Sequence, residues 1–146
     1  MTIEDELLER LRPNPLDEET RSVYADWLEQ HGFIHRAAFL RAIDRAGRRA
    51  AALADPGDAR WRAVVARQPL ARCTTLYKQG CAIAWEHHAR TEDDLRRQCA
   101  TCQRAVFYFT ELAELERVGA APRCFTIDAA LDEDEAKDRY DRVISS

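Results

Sequence analysis

Four cysteines constrain this chain more than any other feature. Cys81, Cys99, Cys102 and Cys124 are separated by seventeen, two and twenty-one residues. The pair in Cys99-Ala100-Thr101-Cys102 lets two thiolates reach one ion from a single tight turn. Two further cysteines from separate segments then complete a tetrahedral Zn2+ site of four thiolates, with Cys81, Cys99, Cys102 and Cys124 as ligands. Residues 98–109 alternate and are rich in Val, Phe and Tyr, which predicts a β-hairpin with the pair at its tip. Residues 61–128 hold few large apolar side chains for their length, and small units of this kind often need a staple beyond their core. Such a site leaves no open coordination position, so the expected zinc is structural.

Two other readings of the cysteines compete. A thiol-redox pair, Cys99 and Cys102, belongs at a helix N-terminus after a βαβ strand, whereas here Cys102 precedes the strand-like residues 105–109. Plain burial is the other, since cysteine is among the residue types most often found in cores. The fifth cysteine, Cys73, is an alternative ligand to Cys81 or a small apolar core residue.

The chain has 146 residues, enough for one domain or two small ones, and 46% hydrophobic with 33% charged residues suits a folded protein rather than a disordered one. No run approaches the length of a membrane span. The first residues, Met1-Thr2-Ile3-Glu4-Asp5-Glu6, are acidic where a signal peptide would be basic and then apolar. The expected location is therefore the cytoplasm, where thiols stay reduced and cysteines serve metals or cores.

Charge is unevenly spread around a net of −4. Residues 1–30 carry nine acids and three arginines, residues 31–72 nine arginines and three acids, and residues 128–146 seven acids and three bases. Lysine occurs only at Lys78 and Lys137. Arginine forks grip phosphate, so the basic block is a candidate nucleic-acid contact. The chain as a whole is acidic, and pairing with the acidic first thirty residues is the favoured reading.

Periodicity predicts an α+β chain in two units, residues 1–55 and 56–146. Ile3, Leu7, Leu8 and Leu11 mark a first helix over residues 3–12, ended by Pro13 and Pro15. Asp17, Glu18 and Glu19 open a second, with Val23, Tyr24, Trp27 and Leu28 as its apolar face and Gly32 as its stop. A third is expected over residues 36–54, with Phe39, Ile43, Ala46, Ala50 and Leu53 inward. Asp55-Pro56-Gly57-Asp58 breaks the chain. Beyond it come a short helix at Trp61, Val64 and Val65, an extended stretch over 71–84, a polar loop at 91–94 and the hairpin. A short helix capped by Thr110 and closed by Gly119, a strand over 123–127 and a C-terminal helix from about Asp132 complete the chain.

The N-terminal helices carry a specific pattern: Asn14-Pro15-Leu16-Asp17, then Arg21-Ser22-Val23-Tyr24-Ala25-Asp26-Trp27-Leu28-Glu29-Gln30-His31-Gly32, then Ala38-Phe39-Leu40-Arg41. This resembles the bacterial repeat-companion domain, whose hallmark reads NPxD…RLVYADWLEExGD…RAEFIR. Ser22 replaces the usual Leu, and Phe33 the acid that often follows the glycine. The second half is similar to a cysteine-containing module that accompanies this domain, through Trp61, Arg67, Cys73, Gln79-Gly80-Cys81, Trp85, Arg97-Gln98-Cys99, Cys102, Val106, Thr110 and Cys124-Phe125-Thr126-Ile127-Asp128. Its usual Cys-Pro-x-x-Trp is here Cys81-Ala82-Ile83-Ala84-Trp85, and a cysteine often seen near position 109 is Phe109. The resemblance implies an accessory module and carries over no catalytic motif.

The remaining candidates are weaker. His87 and His88 are a nitrogen-ligand or base pair only if they leave the exposed loop that Glu86 and Arg90 suggest. Asp26 is read as a hydrogen-bond acceptor fixing the second helix. No Ser-His-Asp elbow, Walker loop, Rossmann fingerprint or HExxH occurs. The expectation is a non-enzymatic cytoplasmic adaptor that binds another protein, with Tyr24 and Trp27 as a candidate recognition patch or as core. Alternatives are a nucleic-acid-associated zinc protein using Arg96, Arg97 and Arg104, with Arg48 and Arg49 as a second contact, or a thiol-redox protein using Cys99 and Cys102.

Overall fold

The structure is a computed structural model and describes residues 2–55, 58–67, 72–73, 84–99, 103–117 and 124–145. Side-chain caps start most of its N-terminal helices. Thr2 and Asp5 form a reciprocal capping box, each backbone N–H reaching the other's side chain at 3.1 Å, and open α1 (Ile3–Leu11). Asp17 accepts from the Thr20 N–H at 3.3 Å and opens α2 (Glu18–Gln30). That helix ends where expected. Gly32 takes φ +85°, and the Phe33 N–H returns to the Leu28 carbonyl at 2.8 Å, the left-handed stop that glycine permits.

The expected third helix is two helices, α3 (Ile34–Arg41) and α4 (Arg45–Ala54). Ala42 turns extended at ψ 132°, and the Asp44 carboxylate accepts from the Gly47 N–H at 2.7 Å to start α4 afresh. This cap resets the helical phase. Ile43, expected inward, is 96% exposed at the joint; Leu53 is also exposed, and Ala51 and Ala52 face the core instead. Residues 1–55 thus hold four helices rather than three. In α2, Tyr24, Ala25 and Leu28 are buried while Val23 is exposed.

Helix α5 (Ala59–Val65), beyond the Asp55 break, completes the core of the first four. Trp61 packs edge-on to Tyr24 at 6.2 Å and against Phe39 at 5.8 Å, among Leu7, Leu11 and Leu28. Its indole N–H donates to the Tyr24 hydroxyl at 2.8 Å, and that hydroxyl donates to Glu4 at 2.7 Å. Every buried polar atom of this trio has a partner, so the aromatic core is fixed in orientation as well as filled. Burial, followed by the Glu4 hydrogen bond, pushes the Tyr24 phenol well above its ordinary range.

The rest is a five-stranded sheet in the order β1-β5-β4-β3-β2, formed by β1 (Arg72–Cys73), β2 (Ala89–Arg90), β3 (Arg96–Gln98), β4 (Ala105–Phe109) and β5 (Cys124–Ile127). The α+β class follows. Strands β3 and β4 form the expected antiparallel hairpin; β4 and β5 run parallel, joined through α6 (Leu112–Arg117). Alternation sorts the strand residues onto two faces. Val106, Tyr108 and Cys124, with Cys99, pack on Trp85, Ala63 and Ala66. Phe107, Phe109, Phe125 and Ile127 pack with Leu112, Leu115, Leu131 and Ala136 of the helices opposite, α6 and α7 (Glu133–Ser145), and of the turn between β5 and α7. The α6 cap differs in detail: Glu114 accepts from the backbone N–H groups of Thr110 and Glu111, while the Thr110 hydroxyl donates to it. Gly119 and most of the expected extended stretch over 71–84 lie outside the described residues.

Candidate metal centre

The hairpin loop is closed at its base. The Cys99 N–H donates to the Arg104 carbonyl at 3.0 Å, and the Gln103 N–H donates back to the Cys99 carbonyl at 2.9 Å. Gln103 completes the reversal at φ 59°, in the left-handed region. Cys99 is 1% exposed at the end of β3, and Cys124, the first residue of β5, is fully buried. Both belong to one cluster with Trp85, Val106 and Tyr108. The backbone of Cys73 lies directly opposite Cys124 in the β1–β5 register. Cys99, Cys124 and the Cys73 backbone therefore lie at one end of the sheet.

Cys81 and Cys102 lie outside the described residues, as does the side chain of Cys73. Cys124 is disulfide-bonded, and to a cysteine other than Cys99. A disulfide sulfur offers no thiolate, so Cys124 fits a metal only in the reduced chain. Among the described residues no three His, Cys, Asp or Glu side chains come together as a metal site.

The histidines separate. His87 is exposed as expected, but His88 is 4% exposed and its carbonyl accepts from Arg97 at 2.9 Å. Of the candidate partner-binding residues, Tyr24 and Arg97 are buried, so neither presents its side chain to a partner. Arg96 is exposed, Arg104 is half-buried, and Trp27 is half-buried, its ring stacked on His31 at 4.1 Å and near-parallel to Phe33 at 6.5 Å. Asp26 accepts from Arg41 at 2.7 Å, and the same guanidinium reaches Glu29, tying α2 to α3.

Most arginines of the basic block are held by carboxylates. Arg36 pairs with Asp55, Arg41 with Asp26 and Glu29, Arg45 with Glu133, Arg49 with Asp132, Arg60 with Asp93, Arg62 with Asp128 and Arg67 with Glu18. The acids come from the C-terminal segment as often as from the first thirty residues, which widens the expected pairing.

Sequence reading missed what the buried arginines do. Arg21 donates to the Val65 carbonyl at 2.7 Å, to Pro15 at 2.8 Å and to Leu40 at 3.3 Å, two of these at the ends of α5 and α3. Arg97 donates to His88 and, at 3.1 Å, to the Arg12 carbonyl that ends α1, with its guanidinium 5.1 Å over the Trp85 ring. Arg62 reaches the Asp55 carbonyl that ends α4 at 2.9 Å. Helix-end carbonyls lack partners within their helix and carry the negative end of its dipole. A planar five-donor fork serves several at once, which a lysine cannot. Burial nevertheless pulls Arg21 and Arg97 down to about 10. The one sequence signal was the near-exclusion of lysine.

Among the described residues no helix is long and apolar enough to cross a membrane. Comparison with protein-family models, with curated proteins and with solved structures finds no match to this chain.

Proposed function

We propose that this chain is a non-enzymatic, cytoplasmic protein-interaction module whose sheet is stapled by one structural zinc ion, held by Cys81, Cys99, Cys102 and Cys124, with Cys73 as the alternative to Cys81. The observation that supports the metal is the placement of Cys99 and Cys124 in one cluster at one end of the sheet. The interaction role rests on an apolar strip left uncovered around the end of α2. Val23, Phe33 and Ile34 are each about half exposed, Trp27 lies between the first two, and an open groove of about 230 Å³ runs past Phe33 and Ile34 to Ala54. Exposed apolar groups clustered in this way mark contact surfaces more often than scattered ones do. The repeat-companion resemblance, carried by Tyr24 to Glu29, points the same way, toward an accessory module.

Cross-linking in the native cell tests the role. A partner captured by the wild-type chain and lost with Phe33→Asp, at unchanged fold, is the expected result; a capture profile indifferent to Phe33→Asp and Trp27→Ala contradicts it. The nucleic-acid alternative is disfavoured by the ion pairs that occupy the basic block. Binding to nucleic acid is expected to be weak and to fade between low and physiological salt. The redox alternative, a Cys99–Cys102 pair, gains no support from the Cys124 disulfide, which does not involve Cys99.

A further inference from the structure

The apolar strip around the end of α2 has an acidic rim. Val23 lies one turn before Trp27 on α2, and the Trp27 ring is 6.5 Å from that of Phe33. Tyr24, 6.2 Å from Trp27, donates to Glu4 and so brings the first turn of α1, Glu4-Asp5-Glu6, to one side of the strip. Glu19 stands one turn before Val23, and Asp26 and Glu29 flank Trp27 on the same helix. Glu4 is half-buried and the other five acids are exposed.

Few cations answer these six carboxylates. Asp26 and Glu29 share the single guanidinium of Arg41. Arg36, 5.8 Å from the Phe33 ring, is neutralised by Asp55. Arg10 and Arg12 belong to the far end of α1, and Arg21 is buried. Glu6 and Glu19 have no side-chain partner among the described residues. The rim is therefore net negative, and a partner's basic groups complement it.

The strip is built from helices and the turn between them, so it offers no strand edge to an extended segment. A helix satisfies its own backbone and presents apolar groups one turn apart, about 5–6 Å. That repeat matches the steps from Val23 to Trp27 and from Trp27 to Phe33, and the groove of about 230 Å³ beside Phe33 and Ile34 has room for a further side chain. Resting on the contact surface described above, we propose that the strip docks a basic amphipathic helix of another protein. Its apolar stripe lies on Val23, Trp27, Phe33 and Ile34, and its lysines or arginines lie over the acidic rim.

A helical peptide of leucine and lysine, compared with its counterpart carrying glutamate for lysine, tests this at pH 8 and low salt. Trp61 and Trp85 are buried, so quenching of tryptophan fluorescence by acrylamide reports on Trp27. The lysine peptide is expected to bind saturably, to shield the tryptophan from acrylamide, and to weaken as salt rises. Phe33→Ser is expected to weaken binding about ten-fold. Glu6→Gln combined with Glu19→Gln is expected to weaken it about three-fold, at low salt only. Val23→Ser, at a second exposed position, takes the place of Phe33→Ser if that variant does not fold. A lysine peptide that fails to bind, a glutamate peptide that binds as tightly, or binding indifferent to both serine variants overturns the proposal. So does a chain that dimerises through Phe33 in sedimentation, since a second copy then occupies the strip. If a cellular partner is still captured through Phe33 while the lysine peptide fails, the basic helix alone falls; if capture also ignores Phe33, the contact surface falls with it.

Discussion

Arg62 in α5 and Asp128 after β5 meet as a two-pronged ion pair inside the protein, Nε to Oδ1 at 2.9 Å and Nη2 to Oδ2 at 2.7 Å, at 6% and 1% side-chain exposure. The Tyr108 hydroxyl donates to the same carboxylate at 2.5 Å. The pair joins the helical core to the sheet, because α5 lends Trp61 to one cluster and Ala63 to the next. A buried fork with all its oxygens bonded fixes geometry more than it adds net stability.

Asp128→Asn leaves the Arg62 cation buried without its counter-charge, and is expected to cost about 3–5 kcal/mol. The double variant Arg62→Met with Asp128→Asn is expected to cost less than the sum of the single changes. Chemical denaturation of the four proteins measures both. Additive effects would show that the two residues act apart.

Tyr24→Phe removes the hydroxyl between Glu4 and Trp61 and strands the buried indole N–H. The expected loss is about 1–3 kcal/mol. Trp27→Ala, at a half-buried position, is expected to fall below the roughly 3–5 kcal/mol of a fully buried aromatic truncation. A larger loss from Trp27→Ala than from Trp61→Ala contradicts the assignment of Trp61 to the centre of the core.

These residues also show what the sequence could tell. The α+β class, the Gly32 stop and the β3–β4 hairpin were legible because each is local: a left-handed glycine, a period of two, a turn. The split between α3 and α4 was not, because Asp44 and Gly47 act through one capping bond that periodicity smooths over. Trp61 was assigned to the second unit because Pro56-Gly57 reads as a boundary, yet the aromatic ring finds its partners in Tyr24 and Phe39. Arg97 looked like a surface cation beside the cysteines. Only the tertiary position of the α1 and His88 carbonyls makes its burial favourable.

The helix caps set the response to acid. Hydrogen bonds from the Thr2 backbone and side chain hold Asp5 below its ordinary 3.8, those from Thr20 lower Asp17, and the Glu135 N–H lowers Asp132. A depressed folded value means that the unfolded chain takes up protons first, so stability rises with pH across the interval. The caps' contribution is complete above about 4 and is lost as pH falls through the lower folded values. Melting temperature is therefore expected to fall below pH 4, less steeply in Asp17→Asn than in the wild type. An identical slope in both proteins excludes the Asp17 cap as a source.

The metal content of the reduced protein, determined together with its reactive thiols, tests the central claim most directly. Protein purified under reducing conditions without added metal is expected to hold about one zinc per chain, lost in Cys99→Ser and in Cys124→Ser. Retention of zinc in Cys81→Ser and its loss in Cys73→Ser would move the first ligand to Cys73, beside Cys124 in the sheet. A metal-free, fully folded chain in which Cys124 stays in a disulfide and Cys99→Ser changes nothing contradicts the zinc centre.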